Sequence, residues 1–500
     1  MLTDLIVGSK GIKTRGLRRF VSMLALVIMV ITFISGTIGV DAAKAVTYGP
    51  TFASSASAVL LDGNTVSFTA VFPSVAPSDD GLLYLYQLAT YEYAIGANAP
   101  IAQAANSMQP TFTFALNHKQ ADTRLYSKFV VASRINGVMT MLCQPQYITN
   151  PELLATHTHP RKANAKKGLQ GVDFMNLHMN QTTQISPANL PRVAQVINNG
   201  ADQAMTNPYS RAGIIPTDPH PGIASYYMLN ANDAQGVSLL ASKMEYYAAN
   251  AGATDDWIIG NEVNVRQWNY MIFVSWDEYM RQYEQAFRVC YTAIKSNNAN
   301  AEVFFCIDQN WDRNRPASHS EYYEYMDGKD FIDRFAADIS AAGNISWGLA
   351  QHPYTVPLTY AKFWDMSGCP DGGYMANMIK SNKMVSFQNL TTITNYMATN
   401  PALLSPAGTV RPIILSEVGI ANGQGDQVQA AALCASYVAA STNPYVEQII
   451  YLNANHGNFD TTLLPMAQDM YNNMDGPNAQ AYMNQALQTM GVTSFSQVIH

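Results

Sequence analysis

Two glutamates stand where an apolar run stops. Trp257-Ile258-Ile259-Gly260-Asn261 leads into Glu262, and Pro412-Ile413-Ile414-Leu415-Ser416 leads into Glu417, 155 residues further on. Two carboxyl groups facing one acetal can cleave it: one protonates the leaving oxygen while the other stabilises or attacks the anomeric carbon. A proton donor working near neutral pH needs burial or a neighbouring charge. Both groups must therefore reach one pocket. In a parallel barrel the C-terminal end of every strand points into the same mouth, so glutamates ending different strands can meet. The competing reading is that each Glu caps a helix or pairs with a surface base.

The elements around these segments fit such a frame. From about residue 165, apolar runs alternate with helical patterns, the signature of βαβ units. Candidate strands are Lys167 to Gln170, Val172 to Met179, Trp257 to Gly260, Val303 to Ile307, Ile345 to Ala350, Pro412 to Leu415 and Gln448 to Leu452. Helical stretches are predicted at Gly236 to Ala249, Trp276 to Lys295, Asp330 to Ala342 and Gln427 to Ala440, with a closing helix and turn over 478–500. Lys167 to Gln170 and Val172 to Met179 leave no room for a connecting helix. The span from Pro191 to Asn230 should hold a helix and a strand, yet it carries Pro208, Pro216, Pro219 and Pro221. The expected fold class is α/β, a (β/α)₈ TIM barrel over 151–500.

Residues 46–150 read differently. Thr65 to Phe72 alternates as a half-buried strand does, and Asn136-Gly137 between two apolar runs signals a hairpin. Several short strands within ~100 residues predict a β-sandwich of immunoglobulin-like size. It could bind sugar or serve as a spacer or barrel support. Ahead of it, Lys10, Lys13, Arg15, Arg18 and Arg19 precede an apolar run from Phe20 to Ser35, and Ala43-Lys44-Ala45 reads as a cleavage site. Residues 1–45 are thus expected to be a signal peptide and the body secreted; the alternative is an uncleaved membrane anchor.

Composition narrows the partners. Only 13% of residues are charged, against ~25% in ordinary soluble domains. Such a surface leans on Asn, Gln, Ser, Thr and Tyr and suits hydroxyl-rich ligands. A net charge of −7 gives no reason to expect nucleic-acid binding. The five cysteines, Cys143, Cys290, Cys306, Cys369 and Cys434, are widely spaced and contain no C-x-x-C pair, which argues against zinc and against a disulfide framework. Cys290, Cys306 and Cys434 read as small core residues. No metal and no cofactor is expected.

With these residues in view, the chain from about 165 to 500 resembles the clan of retaining glycoside hydrolases, with the acid/base ending strand 4 and the nucleophile ending strand 7. Gly260-Asn261-Glu262 is similar to its Asn-Glu signature. Leu415-Ser416-Glu417-Val418-Gly419 is similar to its nucleophile segment, and Gln351-His352-Pro353-Tyr354 falls where strand 6 should end. The run Gly260 to Asn264 followed by Trp268-Asn269-Tyr270, with Gln427 to Ala432, looks like an extracellular bacterial family of this clan whose function is largely uncharacterised. The resemblance implies Glu262 as acid then base, Glu417 as nucleophile, Asn261 on the sugar 2-hydroxyl and Tyr354 holding Glu417. His352 would line the same mouth. Trp268 and Trp311 are candidate stacking platforms, Asp308 a candidate hydroxyl acceptor, and Tyr360 and Trp364 further aromatic candidates. The sequence lacks a Trp at the end of strand 8, where Leu452 to His456 stands. Two other readings stay open: a carbohydrate-binding or adhesion protein on a degraded barrel, and a metal hydrolase using His157, His159, His178 and His220.

Overall fold

The computed structural model describes residues 52–118, 123–157, 160–161, 167–170, 191–198, 227–250, 254–271, 275–313, 325–453, 457–461 and 463–500. The first part is antiparallel. Strands β1 (Ser55–Leu60), β2 (Thr65–Val71) and β5 (Thr111–Ala115) form one sheet, in the order β1-β2-β5. Strands β3 (Leu82–Leu88), β4 (Pro100–Ala105), β6 (Lys128–Ile135) and β7 (Val138–Met141) form a second, and β8 (Gln146–Tyr147) pairs with β6. Alternation does the sorting: Val66, Phe68 and Ala70 of β2 are fully buried. The β6–β7 turn runs through Asn136 at φ 52° and Gly137 at φ 77°, the two positive angles a tight hairpin turn requires. Strand β4 escapes the sequence reading because its Pro-Ile-Ala-Gln-Ala-Ala run is mostly exposed.

The second part is a curled parallel sheet. Strands β9 (Lys167–Gln170), β10 (Val193–Val196), β11 (Asp256–Ile259), β12 (Glu302–Ile307), β13 (Gly348–Gln351), β14 (Ile413–Val418) and β15 (Val446–Leu452) follow the order β10-β11-β12-β13-β14-β15-β9. Every pairing is parallel. Period-2 alternation splits each strand between two environments. Ile258, Phe304, Cys306, Ala350 and Ile414 form a cluster of their own inside the curl. Trp257, Ile259, Val303, Phe305 and Ile307 join the larger core shared with the helices. Gly348 makes the inside possible, since a Cβ there would lie 2.4 Å from the Phe304 ring.

The four predicted helices are found at Ala234–Asn250, Trp276–Lys295, Gly328–Ala341 and Asp426–Thr442, and the closing helix at Ala479–Met490. Trp276–Lys295 starts where Ser275 accepts a hydrogen bond from the Glu278 amide at 3.2 Å, with Asp277 and Glu278 in its first turn and Lys295 in its last. Among the early strands, Lys167–Gln170 is found as expected. Val172 to Met179 lies outside the described residues. Val193–Val196, in the stretch whose prolines disfavour regular structure, is a strand paired with β11; Pro208, Pro216, Pro219 and Pro221 all come after it. Strand β14 runs on to Val418, so Glu417 sits within the strand, where the register with β15 slips between Leu415 and Val418.

Candidate active site

The chain leaves β11 through a left-handed corner. Gly260 has φ +85° and Glu262 itself φ +37°, conformations costly for a residue with a Cβ. A Cβ at Gly260 would also lie 2.8 Å from Val263 Cγ1. Neighbouring strands hold the corner. The Val263 amide donates to the Cys306 carbonyl at 2.8 Å. Asn264, fully buried, accepts from the Asp308 amide at 3.0 Å and donates to Asp308 Oδ1 at 2.8 Å and the Met326 carbonyl at 3.0 Å. On the other side, Gln195 of β10 donates to the Gly260 carbonyl at 3.2 Å and Asn261 Oδ1 at 2.9 Å. Glu262 is thereby aimed by strands on both sides of it.

His352, the first residue after β13, stands between the two glutamates. Its Nδ1 lies 2.9 Å from Glu262 Oε1 and 3.9 Å from Glu417 Oε2. Two oxygens that close to one atom are less than about 7 Å apart, the 2.9 and 3.9 Å laid end to end. Carboxyls of retaining glycosidases stand ~5–5.5 Å apart and those of inverting enzymes ~6.5–9.5 Å; the limit, set by one oxygen of each group, admits the first range without excluding the second. The side chains of Glu262 and Glu417 keep 14% and 25% of their surface exposed, against 2% for His352. The pair thus faces an opening with the histidine behind it.

The Tyr354 hydroxyl donates to Glu417 Oε1. Burial and the Glu417 charge push the phenol well above its ordinary range, so it keeps its proton and stays a donor. Its position depends on Gly419: a Cβ there would lie 2.7 Å from Tyr354 Cε1 and 2.9 Å from both Leu452 Cδ1 and Phe459 Cβ. Burial pulls His352 toward neutrality, but the Cys306 sulfur and the Glu417 and Glu262 carboxylates outweigh it, and the net shift is well above the ordinary histidine value.

The other sequence-predicted residues divide. Trp268 is 40% exposed and borders a small cleft with Asn261, Tyr270, Tyr227, Met228 and Leu229. Trp311 is a correction: it is 4% exposed and packs edge-on against Tyr396 at 5.3 Å, so it offers no open face to a sugar. Asp308 is also buried, with Oδ1 accepting from Asn264 and the Asn310 amide and Oδ2 from the Asn310 side chain. Its reading as a hydroxyl acceptor gives way to one as a buried partner of the Glu262 corner. Trp364 packs on Phe363, and Tyr360 donates to the Asp365 carbonyl; neither is among the groups around the carboxylates. His159, His178 and His220 lie outside the described residues, and among the described residues no group of three or more His, Cys, Asp or Glu could hold a metal. All five cysteines are free and buried. Sequence reasoning missed Gln195, Asn264 and Cys306, whose Sγ lies 3.0 Å from His352 Nε2. Only the parity of Cys306 with the inward-facing Phe304 could have marked it.

Residues 174–498 match a family described as "Family of unknown function (DUF5722)". No curated protein matches the chain. Among solved structures, it is similar to a family 39 glycoside hydrolase from Bacteroides cellulosilyticus WH2, with 13% identity, 84% of this chain and 79% of that one covered, and a TM-score of 0.35. It is also similar to a thermostable mutant of the xylanase Xyn10A from Cellvibrio japonicus, with 10% identity, 51% and 73% covered, and a TM-score of 0.30. Xylanase 10B from Thermotoga maritima shows 12% identity, 51% and 67% covered, and a TM-score of 0.26. Likenesses this loose transfer neither fold detail nor activity.

Proposed function

This chain belongs to the family of unknown function DUF5722, and we propose that it is a glycoside hydrolase acting by a retaining double displacement. The observation that carries this reading is the convergence of Glu262 and Glu417 on the one ring of His352. In the first step Glu417 bonds to the anomeric carbon as the glycosidic C–O bond breaks, and the Glu262 proton goes to the departing oxygen. In the second, water attacks the same carbon, Glu262 takes the water's proton, and the Glu417 ester bond breaks. Tyr354 holds Glu417 through its hydroxyl. Asn261, its Oδ1 engaged by Gln195, would donate to the 2-hydroxyl, and Trp268 would stack on a sugar beside the bond. The same proposal takes residues 151–500 as a complete eight-stranded barrel and 46–150 as an accessory sandwich. It takes 1–45 as an export signal, placing the substrate, an oligo- or polysaccharide, outside the cell.

A panel of chromogenic glycosides run on the wild type and on Glu417→Ala tests it. Wild-type hydrolysis of at least one glycoside is expected, with a loss of 10³-fold or more in the variant and partial rescue by azide with inverted product stereochemistry. Sugar binding without hydrolysis by the wild type would instead make the chain a carbohydrate-binding protein.

A further inference from the structure

We propose that Cys306 is a positioning residue of this site, its sulfur holding the His352 ring in place with a proton on each nitrogen, so that Nδ1–H faces the two glutamates. The consequence for catalysis rests on the reading of Glu262 and Glu417 as the reacting pair; the geometry does not. Cys306 is completely buried and its neighbours inside the curl are Ile258, Phe304, Ala350 and Ile414, none of which can accept a hydrogen bond from its side chain. Its Sγ lies 3.0 Å from His352 Nε2, with Ser416 Oγ 4.0 Å from the sulfur. The His352 amide donates to the Ile307 carbonyl at 3.2 Å, so backbone and ring are both tied to β12.

The groups facing the ring come from several elements. Glu262 approaches from the corner after β11, Cys306 from β12, and Glu417 with Ser416 from β14; Tyr354 follows on its own segment and Asp308 lies behind Glu262. Among the described residues neither glutamate is ion-paired to an arginine or lysine. A doubly protonated His352 is then the cation of the site, and its outer N–H needs an acceptor in an otherwise apolar layer. The sulfur is that acceptor. Without it the ring either leaves a buried N–H unpaired or gives up the proton and with it the charge between the two carboxyl groups.

The full chain labelled with ¹⁵N tests this, using long-range ¹H–¹⁵N spectra of the His352 ring identified by its loss in His352→Gln. At pH 7 the wild type is expected to show both nitrogens protonated. Cys306→Ala should show a neutral ring with its titration midpoint moved to lower pH, and Cys306→Ser should recover the charged form. Should the alanine variant fail to fold by circular dichroism, Cys306→Val, closer in volume, takes its place. An apolar variant whose ring stays charged with the wild-type midpoint would overturn the proposal. On a substrate found by the glycoside panel, kcat of the apolar variant should fall roughly tenfold at pH 7 with KM little changed, and the serine variant should recover it. Equal losses in both variants with an unchanged pH profile would reduce Cys306 to packing. If no glycoside is cleaved, the ring spectra still decide the role of Cys306 while the hydrolase reading fails by itself.

Discussion

At the scale of single residues, a buried carboxyl behind the acid corner carries the clearest pH signature. Asp308 is 8% exposed. Burial, and then the nearby Glu262 charge, push it from 3.8 up to about 7, against hydrogen bonds from Asn264 and Asn310 that pull it down. A raised folded-state value means the group's contribution to stability is present below about 3.8 and is lost as pH climbs through about 7. Asp308→Asn keeps the shape and removes the charge. Its melting temperature relative to the wild type should therefore rise between pH 5 and pH 8, read by thermal unfolding at each pH. A difference that stays constant across that interval would show that Asp308 does not titrate in the folded protein there. The residue types of the pair Glu262 and Glu417 were legible in the sequence, as was Tyr354. Asn264 and Gln195 were not singled out, and Cys306 read only as a small core residue, because a buried Asn, Gln or Cys gains its meaning only from what stands across the strand gap.

At the scale of elements, the exits of β13, β14 and β15 pass one another very closely. Tyr354 follows β13, Gly419 follows β14, and Leu452 ends β15, and the three meet where a single added methyl has no room. Phe459 closes the group, 6.0 Å from the Tyr354 ring in an edge-on arrangement. Gly419→Ala should cost about 1–3 kcal/mol by overpacking, measured by chemical denaturation. It should also move the Tyr354 hydroxyl off Glu417, so activity at 25 °C should fall more than the loss of folded protein explains. An alanine variant with wild-type stability and turnover would mean that the strand exits yield without cost. The five longest described helices and the later strands could be read from periodicity, with ends shifted by a residue or a few, whereas the short helices Gly372–Lys380, Thr391–Thr399 and Pro465–Asn473 could not. Strand β10 could not, since four residues are too few to show a pattern beside a proline-rich stretch.

At the scale of the whole molecule, the antiparallel part and the curled sheet share the helix Trp276–Lys295. Sixteen of its twenty residues are buried, far more than a one-sided amphipathic helix would hide. On one side the Tyr283 hydroxyl donates to the Ile259 carbonyl of β11 at 2.8 Å, and Phe287 packs edge-on against Phe335 of the helix Gly328–Ala341 at 5.0 Å. From another, Gln285 donates to the Thr90 carbonyl at 3.1 Å and the Arg288 guanidinium lies 5.1 Å from the Tyr147 ring centre. Gln146 and the Tyr147 amide reach the carbonyls of Ala341 and Ala342 at 2.8 and 2.9 Å. Domains joined by small polar contacts unfold separately, whereas a shared buried helix couples them. Calorimetry should therefore show one cooperative transition for the two parts, and two resolved transitions would mean the helix belongs to one of them alone.

Amino-acid order by itself determined the local grammar: which runs alternate, where helices begin, and that two apolar runs end in glutamates 155 residues apart. These are short-range properties, set by side-chain type and by periods of two and 3.6 residues. Only the tertiary structure decided that both glutamates meet at His352, that Trp311 turns into the core, and that a cysteine sulfur stands behind the histidine ring. Those outcomes depend on strand order and register, which are set by packing across the sheet rather than along the chain.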